Sequence, residues 1–129
     1  MTSKNHRIAY WVTTAILAFV LLSGGAANVL RQPDAAAGMV HLGYPLYFVT
    51  ILGIWKLLGG VTVLVPGLPR LKEWAYAGAV FDLTGATMSH LAVGDDVRHI
   101  VTPLVLAAVA LASWALRPAG RALAPAGRA

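Results

Sequence analysis

Apolar positions along the chain fall into four long runs, residues 8–30, 45–65, 74–93 and 100–116, and almost everything polar lies between them. Each run approaches the roughly 20 residues that a helix needs to cross the hydrocarbon core of a bilayer. The breaks carry turn residues or charge: Pro66-Gly67, Gly94-Asp95-Asp96 and Arg117-Pro118. Pro45 and Pro103 open the second and fourth runs, where a missing first-turn N–H does no harm. The pattern predicts an all-α fold, a four-transmembrane-helix bundle forming one domain over 1–116. A flexible cytoplasmic tail rich in Pro, Gly, Ala and Arg is expected over 117–129. A signal-peptide reading competes for the first run, since Lys4 and Arg7 precede it and small residues occur at Ser23 to Ala27. The apolar character nevertheless continues to Leu30, favouring a retained span.

Composition supports the membrane assignment. The chain of 129 residues is 58% hydrophobic and 12% charged, with a mean hydropathy of +0.71, outside the range of ordinary soluble domains. Seven of the basic residues (Lys4, Arg7, Arg70, Lys72, Arg117, Arg121, Arg128) flank the runs on one side, and Arg31 and Arg98 on the other. By the positive-inside rule both termini and the middle loop are cytoplasmic, giving a multi-pass inner-membrane protein. Tyr10, Trp11, Trp74, Tyr76 and Trp114 then fall at the inner interface, and Tyr44 and Tyr47 at the outer one, as an aromatic belt. The net charge of +5 is a topology signal and carries no nucleic-acid patch. The absence of cysteine excludes disulfides, thiolate nucleophiles and iron-sulfur ligation.

Lys56 and Asp82 are the only charged residues inside the runs. Each lies ten residues from the turn spanning 66–72, so antiparallel helices would bring both to the same depth, about 15 Å from that turn. Charges at mid-membrane cost roughly 2.5–3.5 kcal/mol each and mark functional sites by default. Two readings stay open: a buried ion pair that fixes helix neighbours, or a proton-transfer pair with Asp82 as base. Gly78, Asp82, Gly85 and Ser89 share a narrow arc of the third run, Gly53, Gly59 and Gly60 flank Lys56, and Thr14, Gly25 and Asn28 share a face of the first. These patterns give Lys56, Asp82 and His90 as candidate catalytic residues. Gly53, Gly85, Ser89, His41 and Asn28 are the candidate substrate contacts, and no metal site is expected. His41 and His90 lie toward the outer side and could approach one another, but two histidines alone are thin grounds for haem.

Several strings resemble a known family: Gly53-Ile-Trp-Lys56, the run Pro69-Arg70-Leu71-Lys72-Glu73-Trp74-Ala75-Tyr76-Ala77-Gly78, Gly85-Ala86, Ser89-His90 and Gly94-Asp95. Together they resemble the DoxX-like family of small four-helix bacterial membrane proteins over about residues 8 to 116. The likeness implies an accessory protein or subunit of a membrane redox system, quinone-linked, whose partner is a redox protein; separately, the small interior of so short a chain makes a homodimer an expected partner. It admits a quinone as cofactor and transfers no catalytic residue. The family is also similar in architecture to small membrane isomerases acting on sterol-like molecules. Two alternatives stand beside the redox role: a small enzyme doing proton transfer on a lipophilic substrate at Lys56 and Asp82, and a non-catalytic scaffold or chaperone-like bundle. The Arg70 to Tyr76 segment also has a purely physical reading. Arg70 and Lys72 would anchor to headgroups, and Glu73 would open the third helix at its positive dipole end.

Overall fold

The computed structural model describes residues 3–123, and among them every regular element is helical. There are five α-helices: α1 (Lys4–Val29), α2 (Pro33–His41), α3 (Leu46–Leu64), α4 (Pro69–Ala92) and α5 (Val97–Ala115), followed by one 3-10 turn, Ala119–Arg121. Three of them, α1, α3 and α5, are long and apolar enough to cross a membrane. The 24-residue α4 is also long enough, but its polar positions, among them Asp82, Ser89 and His90, make it less apolar.

Helix ends follow from local chemistry and differ from the hydropathy boundaries. Ser3 caps α1, its hydroxyl accepting from the His6 amide at 3.1 Å, so the helix begins in the polar segment before Ile8. Proline at the first position starts α4 at Pro69, five residues ahead of the apolar run. Hydropathy registers the apolar part of a helix, whereas caps and prolines determine where the helix starts. The segment 31–44, expected as a plain connection, contains α2, initiated by Pro33 with the Gln32 side chain accepting from the Ala35 amide. Gly67 and Gly94 sit at φ +74° and +75° in the turns around α4, a left-handed conformation that other residues adopt only at a cost.

The long helices run antiparallel to their chain neighbours, as contacts of opposite register show. Lys56 meets Asp82 and Tyr44 meets Ser89 between α3 and α4; Glu73 meets Trp114 and Thr87 meets Ile100 between α4 and α5. Helix α1 packs most extensively on α3 and also on α5, which in turn packs on α4, while α3 and α4 touch more sparsely. We call the end where α1 begins and α5 ends basal and the other apical.

The α1–α3 seam is built on backbone approach. A Cβ at Gly53 would lie 2.8 Å from the Asn28 Cβ, the Gly25 carbonyl and Val29, and one at Gly60 would lie 2.7 Å from Leu22. These glycines let two apolar helices close to backbone contact, as small residues do in membrane helix pairs. The core between α1, α4 and α5 contains Leu17, Leu21, Ala79 and Ala110 and a buried hydroxyl chain. Ser113 bonds to both Thr14 (2.6 Å) and Tyr76 (2.8 Å).

Four expectations are corrected here. Tyr10 and Tyr76 are core residues, 1% and 2% exposed, and not belt residues; Trp11, Trp74 and Trp114 are exposed. Lys72 is fully buried, and its ammonium donates to the carbonyls of Thr62 (2.7 Å) and Val65. It caps the C-terminus of α3, where a cation meets unpaired carbonyls and the negative dipole end, instead of reaching headgroups. Glu73 lies beyond the first turn of α4 and instead accepts from Arg117 (2.5 Å) and the Trp114 indole (2.9 Å). Pro103 is inside α5 instead of in its opening turn, because that helix starts at Val97. Of the tail expected over 117–129, Arg121 donates to the Val63 and Leu64 carbonyls and lies over the Trp11 ring at 4.8 Å. Residues 124–129 lie outside the described ones.

Candidate functional site

Along α3, Phe48, Leu52, Trp55, Gly59 and Thr62 recur at intervals of four and three; along α4, Leu71, Ala75, Gly78, Asp82, Gly85 and Ser89 do the same. Such spacing places each set on one helix face. In the structure the two faces oppose one another across a cleft of about 800 Å³, whose apical end is bounded by Met39 and Leu42. The α3 wall is aromatic: Tyr44 stacks on Phe48 with centroids 5.4 Å apart, and Phe48 meets Trp55 edge-on at 6.4 Å. The α4 wall is smooth, because nothing lies within 4 Å of where a Cβ would stand at Gly78 or Gly85.

Lys56 and Asp82 face each other across this cleft. Their closest charged atoms are 4.0 Å apart, and each side chain is 22% exposed. That separation exceeds hydrogen-bond length, and neither group is hydrogen-bonded to another described residue. The Lys56 side chain runs beside Gly24 of α1, the ammonium 3.7 Å from where a Cβ would sit. The pair therefore keeps its donors and acceptors open toward an apolar space, where attraction between charges is stronger than in water.

A second cluster closes the apical end. Asp95 is clamped by two imidazoles, His41 Nε2 on Oδ1 and His90 Nδ1 on Oδ2, both at 2.7 Å, and the His99 ring lies 5.4 Å from that of His90. These hydrogen bonds, that from His90 first and that from His41 next, hold the Asp95 carboxyl below its ordinary pKa. The clamp ties α2 to the turn between α4 and α5. His41 and His90 converge on one carboxylate and do not face each other across an open gap, so the pair does not fit a haem plane.

The candidate residues thus separate. Lys56, Asp82, Gly85 and Ser89 line the cleft; His41 and His90 form the apical clamp. Gly53 and Asn28 lie in the α1–α3 seam, where the Asn28 side-chain oxygen Oδ1 is buried without a hydrogen-bond partner among the described residues. The sequence reading missed the aromatic wall, for which the four-three spacing of Phe48, Leu52 and Trp55 was a usable signal. It also missed Asp95 as the bridge between histidines, which no spacing foretells because His41 is 54 residues away.

Three apolar helices of spanning length make this a multi-pass membrane protein, and its distinguishing feature is a cleft between two helices with one opposed charge pair inside. The model of the DoxX-like family matches residues 12–113, and the chain belongs to that family. No curated protein and no solved structure matches the chain.

Proposed function

We propose that the chain is a four-span inner-membrane protein, both termini cytoplasmic, that binds a lipophilic molecule in the α3–α4 cleft and exchanges a proton with it at Lys56 and Asp82. One observation carries the reading: an opposed charge pair, 4.0 Å apart and not hydrogen-bonded, inside an apolar cleft of about 800 Å³. That volume suits a small-molecule site. A pair kept only for helix register would be expected to close to hydrogen-bond distance with its surroundings packed. Membrane crossing by α4 is supported by the position of its polar groups. Asp82 and Ser89 turn to the cleft and Thr87 bonds to Ile100, while Phe81, Met88 and Leu91 are exposed. Topology is supported by Lys4, Arg7, Arg70, Lys72, Arg117 and Arg121 at the basal end against only Arg31 and Arg98 at the apical end.

The roles follow from charge. The Lys56 ammonium donates to a carbonyl or hydroxyl oxygen of the bound molecule and stabilises negative charge developing there. The Asp82 carboxylate accepts a proton from an adjacent O–H or activated C–H. The aromatic wall holds flat rings in place. A quinone-linked role, implied by family resemblance, uses the same groups. Tyr44, Phe48 and Trp55 would pack on the ring, the Lys56 ammonium would supply a proton to an oxygen of the reduced ring, the Asp82 carboxylate would take one back on its reoxidation, and electrons would come from a partner protein, since this chain has no thiols.

The test is mass spectrometry of lipophilic molecules retained after purification in mild detergent, on wild type and on Lys56→Met with Asp82→Asn. Removing both charges together avoids stranding either. The expected result is a ligand retained by wild type and lost from the folded double variant. Equal retention by both would overturn the role of the charge pair, and no retained molecule in wild type would overturn the reading in favour of a scaffold.

A further inference from the structure

Besides the indoles, the polar side chains on the cleft are Tyr44, Lys56, Thr62, Asp82 and Ser89. Thr62 is spent, its hydroxyl donating to the Leu58 carbonyl one turn back at 2.7 Å. Ser23 and Thr84 bond to their own helices in the same way. Ser89 does not. It reaches across to the Tyr44 hydroxyl at 2.6 Å. Two hydroxyls share one hydrogen bond there, so one proton and several lone pairs remain, with no further partner among the described residues. The cleft therefore holds two unspent polar stations. Asp82 and Ser89 are seven residues apart on one face of α4, which separates the stations by about 10.5 Å along the axis. Between them the α4 wall is Gly85 and Ala86, and the opposite wall carries Phe48 and Leu52.

From this geometry we infer that the occupant is a rigid, flat, ring-fused lipophile bearing an oxygen function at each end, about 10 Å apart. One oxygen lies at Lys56 and Asp82, and the other at the hydroxyl pair Tyr44 and Ser89. The inference rests on the reading of the cleft as a lipophile site and goes beyond it by giving the ligand a second polar end. A molecule with a single polar head and an apolar tail would leave the one free O–H of the Tyr44 and Ser89 pair facing hydrocarbon, and desolvating it without an acceptor is unfavourable. Tyr44 and Ser89 are thus specificity-determining residues, while the chemistry stays at Lys56 and Asp82.

The experiment is a tryptophan-fluorescence titration of the full chain in detergent, reading Trp55 and Trp74 on the cleft wall, with three probes. These are a steroid 3,17-dione, the matching steroid 3-ketone lacking the second oxygen, and a short-chain quinone. The dione is expected to bind about tenfold more tightly than the 3-ketone, the size of one well-made hydrogen bond. Ser89→Ala and Tyr44→Phe, the latter keeping the stack on Phe48, should each bring the dione-to-3-ketone affinity ratio close to one. Equal affinity for dione and 3-ketone, tighter binding of the quinone, or a preference that survives both variants would overturn the inference and leave the cleft reading standing. If no probe binds wild type better than the Lys56→Met, Asp82→Asn variant, the cleft reading falls with it.

Discussion

The two interfaces of α3, with α1 and with α4, are lined by glycines for opposite reasons. Toward α1, Gly53 and Gly60 are pressed against backbone and side chains at 2.7–2.8 Å from a would-be Cβ, and the seam has no room to spare. On the cleft, a Cβ at Gly59 would make only an ordinary contact, with Leu21 of α1 at 3.8 Å, and Gly78 and Gly85 of α4 across the gap have nothing within 4 Å. The first set lets two helices close; the second keeps a cleft wall smooth. A small residue in a membrane helix is therefore read by what stands opposite it. The same contrast holds for the two lysines of the middle region. Lys72 is buried with its ammonium satisfied by α3 carbonyls, whereas Lys56 faces the cleft with no hydrogen bond to a described residue.

That contrast predicts a split between stability and binding. Lys72→Met should cost the most stability, about 1.5–3 kcal/mol, because two carbonyls lose a charged donor. Lys56→Met with Asp82→Asn should leave thermal unfolding in detergent much closer to wild type. A larger loss at the cleft pair would show that the pair is structural. Gly53→Ala should destabilise by about 1–3 kcal/mol through overpacking, while Gly85→Ala should stay within about 0.5 kcal/mol. Equal melting temperatures for these two variants would break the distinction between seam and cleft. Ser113→Ala strands the Thr14 and Tyr76 hydroxyls in the core and should cost about 1–3 kcal/mol, with ligand retention unchanged.

The smallest effect concerns the apical clamp. The Asp95 carboxyl is held below its ordinary pKa by the His90 and His41 hydrogen bonds, so its ionised form is favoured in the folded state. Its contribution to stability is present above the ordinary carboxylate value, about pH 4, and is lost as pH falls through the lowered one. Acid melts should show Asp95→Asn losing part of the wild-type pH dependence below about pH 4. An unchanged acid limb would mean the clamp does not contribute to stability.

The Arg70 to Tyr76 segment shows how family and physics can be read from the same residues with different success. As a string it pointed to the DoxX-like family, and the family model covers it. As physics it pointed to the membrane surface, yet Lys72 and Tyr76 are buried and Glu73 serves the basal end of α5 through Arg117 and Trp114. Charge and aromaticity near a helix end suit an interface and a cap equally well. Only the position of the neighbouring helix separates them.

Sequence by itself determined the helical class, the apolar runs, the family, and the meeting of Lys56 with Asp82. The family rests on matching strings such as Arg70 to Gly78; the others depend on local periodicity, composition and equal distance from one short turn. The helix starts at Ser3 and Pro69 were also legible as caps, although hydropathy obscured them. Tertiary structure alone decided which glycines close a seam and which border a cleft, that Lys72 is a cap, and that His41 reaches Asp95 across 54 residues. Those outcomes depend on which faces meet and how closely, which is set by the packing of several helices together and by no single one of them.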